Sequence, residues 1–178
     1  NGIESYILAR QGRVLASDVE PLLAVTYERG GYFRNLGLAP DNRVEYVFPI
    51  EGNEAALGLR YQDNARQWPG VQRAMAARRG LFDGPLNLVQ GGRGLVFRQP
   101  VFIGEHYWGM ISAVIDADKL LGLLAPLTAK PGVIVGLRHT HPPDDVFEGS
   151  AAAFRDDAII LPITVPGGDW EFGIALSS

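Results

Sequence analysis

Cysteine, long apolar runs and positive charge are all scarce in this sequence. There is no cysteine, which excludes a disulfide framework and any thiolate metal site. No segment approaches the roughly 18 unbroken apolar residues that a membrane-spanning helix needs. The chain begins at Asn1, without a methionine or a signal-peptide pattern, so we expect it to be a fragment of a longer protein.

Acidic residues outnumber basic ones. Lysine and arginine total 16 residues against 20 aspartates and glutamates, and the formal net charge is -4. The basic residues are scattered, and the longest runs are pairs such as Arg78-Arg79. Because a nucleic-acid partner requires a basic surface that neutralises phosphates, we expect none here.

The remaining composition is that of an ordinary globular protein, with 47% hydrophobic and 20% charged residues. A chain of 178 residues can form one sizeable core, or a core with a small satellite. In residues 1–32 the apolar residues recur at roughly helical spacing, and Gly30-Gly31 ends the pattern. Two helices joined near Ser17 and one long bent helix both fit, and Asp18 is placed to cap a helix.

Strand patterns begin after this helical region. Residues 44–48 alternate so that Val44, Tyr46 and Phe48 share one face of a strand. Residues 57–61 are a second, shorter strand candidate.

A helix and a hairpin are predicted next. Residues 64–79 carry the apolar stripe of a helix, and Gly80 is a natural end for it. Residues 86–99 form a hairpin around a glycine-rich turn, and Pro100 ends or kinks its second strand. The remaining predicted elements are a strand at 107–115, a helix at 119–127, and strands at 132–138, 158–165 and 170–176.

The element order predicts an α+β fold. Most of the connections are short, which favours an antiparallel sheet over a parallel one. From the pattern alone we expect a helical arm, a sheet with an embedded helix, and a small C-terminal β-rich part.

Two segments were tested as sites for phosphate or metal. Gly91-Gly92-Arg93-Gly94 lies between two strands and lacks a following Lys-Ser/Thr, so a hairpin turn is favoured over a phosphate-binding loop. His139 and His141 are followed by Asp144, Asp145 and Glu148, a set that includes metal-ligand residue types. The intervening prolines favour a polar surface loop, and we expect neither a metal nor a cofactor.

No serine or histidine has the sequence context of a catalytic nucleophile or base. We therefore expect this part of the protein not to be an enzyme. A ligand pocket has more support, because aromatic residues on neighbouring strands accompany polar side chains such as Arg98 and Gln99. The alternative is that these aromatic residues simply fill the core.

A series of short segments resembles the CHASE domain, an extracytoplasmic sensory module. The resemblance runs from about Phe33 to Leu121. It is carried, in order, by Arg34-Asn35, Leu38-Ala39-Pro40-Asp41-Asn42, Tyr46-Val47-Phe48-Pro49, Gly52-Asn53-Glu54-Ala55-Ala56-Leu57-Gly58, Gly84-Pro85, Leu88-Val89-Gln90-Gly91-Gly92, Arg98-Gln99-Pro100-Val101-Phe102 and Trp108-Gly109.

The resemblance implies a PAS-like antiparallel sheet with an N-terminal helical stalk and a small C-terminal β-rich subdomain. The expected boundaries are a partial stalk at 1–32, a PAS-like ligand-sensing subdomain at 33–127 and a membrane-proximal β subdomain at 128–178. It also implies the periplasmic or extracellular portion of an inner-membrane receptor, dimeric through the stalk. The cytoplasmic output of such receptors is a diguanylate cyclase, a phosphodiesterase or a histidine kinase.

The expected partner is an unidentified small molecule bound on the PAS-like sheet. The family has an aspartate where this chain has Arg60, and that aspartate matches the carboxylate that binds the purine in plant cytokinin receptors. Arginine offers donors and no acceptor, so we expect no cytokinin and favour an anionic ligand. A domain that has lost its ligand and serves as a dimerisation scaffold is the alternative. The candidate ligand-binding residues are Tyr46, Phe48, Arg60, Phe82, Phe97, Gln99, Trp108 and Met110.

Overall fold

The computed structural model describes residues 2–30, 32–141, 145–165 and 168–177. The chain forms two compact units, residues 1–117 and 118–178. The two units divide after residue 117, before the helix predicted at 119–127. The boundary expected from the sequence, between residues 127 and 128, follows that helix. The N-terminal helices and the first sheet thus belong to one unit.

In its described residues the first unit contains the α-helices α1 to α3, two 3-10 turns and a five-stranded antiparallel sheet. The strand order is β2-β1-β5-β4-β3. In chain order the elements are α1 (Gly2–Ala9), α2 (Ala16–Arg29), β1 (Phe33–Pro40), β2 (Tyr46–Phe48), α3 (Trp68–Ala77), β3 (Leu81–Asn87), β4 (Arg93–Ile103) and β5 (His106–Asp116).

Helices α1 and α2 cover one face of this sheet, which we call the α1–α2 face. Ile7 and Leu23 are fully buried against Leu36, Leu38 and Ile111, which lie on that face. Burying a side chain of this size stabilises the fold by about 1.5–3 kcal/mol. Within the part of the chain that the structure describes, neither these helices nor any other is long and apolar enough to cross a membrane.

The start of α2 differs from the expected cap. Leu15 occupies the N-cap position and makes no capping hydrogen bond through its side chain. Asp18 lies in the first turn instead, where its carboxylate accepts a hydrogen bond of 2.7 Å from the Tyr6 hydroxyl. This bond ties α1 to α2, and a carboxylate at a helix N-terminus is favoured by the helix dipole.

The opposite side of the sheet, which we call the α3 face, carries Asn35, Gly37, Met110 and Ser112. Gly37 is paired with Ser112 in register, and side chains opposite one another in a sheet share a face. Helix α3 packs here through Val71 and Ala74, together with the buried Tyr61 and Met110.

Several sequence predictions needed correction in this unit. Strand β1 was not among the predicted strands, and α3 is shorter than the predicted helix 64–79. Arg78, in a left-handed conformation with φ 53°, ends α3 before Gly80 is reached. Residues 57–61 are not a strand: a single bridge from Arg60 to Arg43 precedes a 3-10 turn at Tyr61–Asp63.

Val44 does not share a face with Tyr46 and Phe48. It packs in the core on the α3 face, whereas Tyr46 and Phe48 pack on the α1–α2 face. The regular strand begins only at Tyr46, so the alternation does not extend back to Val44.

Pro100 does not end β4, which continues to Ile103. The partner strand β3 begins at Leu81, opposite Arg98, so Pro100 lies beyond its end. Pro100 therefore has no partner residue on β3. On that side of β4, the absence of an N–H in proline costs no hydrogen bond.

The second unit contains short helices and a four-stranded antiparallel sheet of order β7-β6-β9-β8. Its strands are β6 (Val133–His139), β7 (Val146–Gly149), β8 (Ile159–Val165) and β9 (Gly168–Leu176). Three of these were predicted, and β7 was not. The predicted helix 119–127 is a broken helical segment, formed by α4 (Ala117–Leu121), a 3-10 turn (Gly122–Leu124) and α5 (Ala125–Thr128). The α+β class with PAS-like antiparallel sheets is confirmed.

Gly109 on β5 leaves no room for a side chain, which yields a stability prediction. A Cβ built there would lie 2.4 Å from the Ala39 carbonyl oxygen and 2.8 Å from the Pro40 Cα. We expect Gly109→Ala to lower the free energy of unfolding by about 2 kcal/mol, because backbone atoms of β1 must move. Urea unfolding measures this change.

Gly2→Ala is the matched control, since nothing lies within 4 Å of a Cβ at Gly2, in α1. Alanine is the better helix former, so this variant should be neutral or more stable by up to about 1 kcal/mol. Equal losses in both variants would contradict the close approach of β1 and β5 at Gly109.

Tyr107 yields a pH prediction. Its hydroxyl donates to the Asn42 Oδ1 at 2.6 Å, and Asn42 is a buried turn residue with φ 65°. Burial, with smaller effects of Tyr61 and Asp41, raises the pKa of Tyr107. The folded state therefore keeps the neutral phenol, and stability is lost as the pH rises above about 10, where an unfolded tyrosine ionises.

We expect Tyr107→Phe to be less stable by about 1 kcal/mol at neutral pH, because the hydrogen bond to Asn42 is lost. Its stability should then fall less steeply than that of the unmodified protein above about pH 10. Urea midpoints measured across this range test the slope. Tyr32→Phe, at an exposed position, should follow the unmodified protein. Parallel alkaline slopes for Tyr107→Phe and the unmodified protein would contradict the burial of this phenol.

Candidate ligand-binding site

A cleft lies between the α3 face of the first sheet and the segment from Val44 to Gln67. It is narrow: its cavity volume is about 20 Å³, room for little more than a water molecule. The described residues that line it are Asn35, Gly37, Val44, Val47, Ala56, Leu59, Tyr61, Gln67, Leu88, Gln90, Val96, Ser112 and Val114. Apolar walls with a few polar groups are typical of small-molecule sites.

A buried ion pair stands beside this cleft. Arg98 on β4 is 1% exposed, and its Nη1 lies 2.6 Å from the Asp83 Oδ2. Its Nη2 donates to the Gln67 Oε1 at 3.2 Å. The other carboxylate oxygen of Asp83 is 3.2 Å from the exposed Arg73 of α3. The Arg98 Nε is buried and makes no hydrogen bond to any described residue.

Gly70 explains how α3 comes so close to this pair. A Cβ at Gly70 would stand 2.1 Å from the Asp83 Oδ2 and 2.5 Å from the Arg98 Nη1. Helix α3 can therefore lie over the pair only because residue 70 has no side chain. Gln67, just before this helix, is thereby brought to both Arg98 and the cleft.

Tyr61 and Ser112 form the polar floor of the cleft. Burial raises the pKa of Tyr61, while Arg98 and a hydrogen bond with Ser112 act in the opposite direction. Burial dominates, so the phenol stays protonated and can both donate and accept. At the mouth, the Gln90 amide donates to the Asn35 Oδ1 at 3.1 Å.

Arg34 holds together the loops at the rim of the cleft. Its Nε donates to the Asn53 Oδ1 at 3.0 Å, its Nη2 to the Gln90 carbonyl at 3.0 Å, and its Nη1 to the Gly91 carbonyl. The Asn53 amide in turn donates to the Pro49 carbonyl at 3.0 Å. These signature residues act as a frame that positions Gln90.

The eight residues predicted from the sequence are divided between different parts of the first unit. Tyr46, Phe48 and Trp108 pack in the core of the α1–α2 face. Phe82 and Phe97 lie opposite each other with ring centroids 5.1 Å apart, and the register places them and Gln99 on that same face.

Met110 alone of the eight lies on the α3 face, fully buried. Arg60 lies outside both faces: its side chain is 62% exposed and pairs with Asp63 at 3.7 Å. None of the eight is among the described residues that line the cleft. Tyr46 and Phe48 line a separate, roomier depression of about 360 Å³, beside Glu20 and Glu45.

Strand alternation in the sequence indicates part of the cleft lining. Alternation from Met110 along β5 places Ser112 and Val114 on the same face, and the same alternation places Val96 with Arg98 on β4. No comparable signal marks Gln67 or Gln90, because both lie outside regular strands.

The set of residues considered as a metal site is described except for Asp144. The His139 Nδ1 lies 2.6 Å from the Asp145 Oδ2, and the imidazole packs against Phe147 with centroids 4.7 Å apart. Asp144 lies outside the described residues. Among the residues that are described, no group of three or more potential metal ligands comes together.

Arg98 and Arg73 share one carboxylate and provide a matched pair of substitutions. Arg98→Met should lower the free energy of unfolding by about 3 kcal/mol, because it leaves a buried part of Asp83 without its partner. Arg73→Met should cost less than about 1 kcal/mol, since that arginine is 57% exposed. Urea unfolding measures both, and equal costs would contradict the role assigned to Arg98.

No curated protein sequence matches this chain. Solved structures do match, and the three described below are 11% to 15% identical to this chain. One is an extracellular ligand-binding receptor from Desulfohalobium retbaense, with a TM-score of 0.72 and 11% identity. The match covers 97% of this chain but 36% of that receptor chain, so this chain spans about a third of it.

Two further matches are bacterial chemoreceptor domains. The ligand-binding domain of the Pseudomonas aeruginosa amino acid chemoreceptor PctC, in complex with GABA, gives a TM-score of 0.68 at 15% identity, covering 99% of this chain and 90% of that one. The ligand-binding domain of the Pseudomonas fluorescens chemoreceptor CtaA, in complex with L-serine, gives 0.65 at 14% identity, covering 96% and 82%. These similarities establish the fold.

The family assignment comes from the sequence itself. Residues 13–145 match the CHASE domain. This range includes Arg34, Asn42 and Asn53, whose side chains make the hydrogen bonds described above. The match extends well beyond half of the chain, and the resemblance seen in the motifs is thereby confirmed. This chain belongs to the CHASE domain family.

Proposed function

We propose that this chain is the extracytoplasmic input domain of a membrane-anchored signalling receptor, and that it binds a small molecule in the cleft on the α3 face. Family membership supports the sensory role. The observation that carries the proposal is the cleft itself, where hydroxyl and amide groups of Tyr61, Gln67 and Ser112 are buried among apolar walls.

Relatives of the same fold bear on the size of the ligand. The chemoreceptor domains matched above hold GABA and L-serine, and a ligand of similar size would have to move the segment from Val44 to Gln67 away from the sheet, because the cleft has room for little more than a water molecule. The expected preference for an anion rested on Arg60. Because Arg60 is exposed and paired with Asp63, it gives no information about the ligand.

Signal transmission is assigned to α1 and α2. Both helices pack on the sheet whose other face forms the cleft, so a ligand that favours one arrangement of the sheet would also bias the helices. The exposed Leu8, Leu15 and Val25 give these helices apolar surface for a homodimer contact. The output is proposed to be a cytoplasmic cyclase, phosphodiesterase or histidine kinase in the same receptor.

One observation favours the scaffold alternative. The polar groups around the cleft already bond to one another: Gln90 to Asn35, Gln67 to Arg98, and Tyr61 to Ser112. A domain that has lost its ligand would keep such internal pairs and dimerise without one. The two functions differ in whether any small molecule stabilises the domain.

A thermal-shift screen with purines, organic acids and amino acids tests the proposal. At about 100 times its Kd, a ligand stabilises a domain by about 2.7 kcal/mol, or about 5–10 °C in Tm. Ser112→Leu should abolish the shift, because the larger side chain fills the cleft floor. Ser5→Leu, on the exposed surface of α1, should retain it.

The outcomes separate the hypotheses. A shift that persists in folded Ser112→Leu would place the ligand outside the cleft. If no compound raises Tm, and sedimentation shows a dimer with and without the compounds, the ligand-free dimerisation scaffold would be favoured. Melting temperatures of both variants without ligand confirm that each is folded.

A further inference from the structure

We infer that the depression between α2 and the edge strand β2 is a second binding site, and that it takes a small organic cation, an amine that carries an apolar or aromatic group. This inference goes beyond the proposed function, because the site is separate from the cleft on the α3 face and takes a different ligand.

The depression has room for a small organic molecule. Its cavity volume is about 360 Å³, against about 20 Å³ for the cleft. Small-molecule sites have volumes of about 300 Å³ and more. Strand β2 is the last strand of its sheet, so the depression lies along the edge of the sheet. Glu20 and Leu23 of α2 line one side of it, and residues 45–48, 50, 51 and 57 line the rest.

The walls of the depression offer apolar and aromatic surface. The rings of Tyr46 and Phe48 line it, together with Ile50 and Leu57, which are 37% and 51% exposed. A ligand that covers these side chains removes apolar surface from water, which favours binding. An aromatic ring also attracts a cation placed over its face.

The charges that line the depression all have one sign. Glu20, Glu45 and Glu51 line it, and none of the other described lining residues is charged. Within the part of the chain that the structure describes, none of these three carboxylates forms an ion pair. A cation would therefore meet unpaired carboxylates, whereas an anion would meet repulsion.

The cavity and the carboxylates together select the class of ligand. A metal ion would use the carboxylates but would leave the apolar walls in contact with water. A neutral apolar molecule would cover the walls but gain nothing from the carboxylates. An organic ammonium ion uses both. Because Glu20 lies on α2 and Glu45 directly precedes β2, such a ligand would also link this helix to the edge of the sheet.

Three compounds with a phenyl ring on a short chain test the inference by calorimetry and ligand-detected NMR. Phenethylamine is a cation, 2-phenylethanol is neutral and 3-phenylpropanoate is an anion. We expect the amine to bind at least about tenfold more tightly than the alcohol, a difference of about 1.4 kcal/mol, and the carboxylate to bind most weakly. The preference for the amine should shrink as salt is raised, because the three glutamates are exposed and therefore screened.

Two results would overturn the inference. One is an alcohol that binds as tightly as the amine. The other is an amine that does not bind at all, with or without calcium ions binding in its place. Neither result bears on the proposed function, because that function concerns the cleft on the other face of the sheet.

Substitutions of single carboxylates locate the effect. Glu20→Gln and Glu45→Gln should each weaken the binding of phenethylamine several-fold and leave that of 2-phenylethanol unchanged, because each variant loses a charge without a change of size. Both positions are exposed, so we expect both variants to fold. Glu28→Gln is the matched control: it removes the same charge at an exposed position of α2 that does not line the depression. Equal affinities for the amine in all three variants would contradict the site.

Amide chemical-shift mapping with phenethylamine separates this site from the cleft. We expect the largest changes at Glu20, Phe48 and Leu57. If the changes instead lie at Gln67 and Ser112, the amine binds in the cleft, which would support the proposed function and overturn the inference.

Discussion

The buried guanidinium of Arg98 is the constraint on which the first unit depends. An arginine cannot lose its charge at accessible pH, so a side chain that is 1% exposed needs a partner at short range. Asp83 on β3 supplies it, Gln67 satisfies a second nitrogen, and Gly70 lets α3 lie over the pair. One interaction therefore fixes β3, β4 and α3 relative to one another. Because Arg73 shares the same carboxylate, the cluster beside the cleft keeps a net positive charge.

Key residues of the family signature hold loops and turns of the fold in place and do not line the cleft. Arg34 and Asn53 bridge the loops at the rim, and Asn42 closes the turn after β1, where it accepts from Tyr107. These residues hold Gln90 and the segment from Val44 to Gln67 over the sheet. Asn35 and Gln90 of the cleft belong to the signature segments, whereas Tyr61, Gln67 and Ser112 lie outside them, which would allow one frame to carry different ligand chemistries.

The sequence predicted most of the helices and strands, but it did not predict correctly which face of the sheet their side chains occupy. The hairpin pattern around the glycine-rich turn identified β4, and β5 was predicted as the strand at 107–115, but β1 escaped because Asn35, Gly37 and Pro40 all have low strand propensity. Burial of β1 between two neighbouring strands overrides that propensity. The register shift between Val101 and Phe102 then turns Trp108 towards the α1–α2 face, away from the face of Met110. Alternation alone cannot reveal such a bulge, so the aromatic residues were grouped into one expected pocket.

We propose that the ligand binds on the α3 face of the first sheet. Amide chemical-shift mapping, with and without the tightest-binding compound of the thermal-shift screen, can locate the binding site residue by residue. We expect the largest changes at Tyr61, Gln67 and Ser112. Changes concentrated at Phe82, Phe97 and Gln99, with none at Ser112, would contradict it.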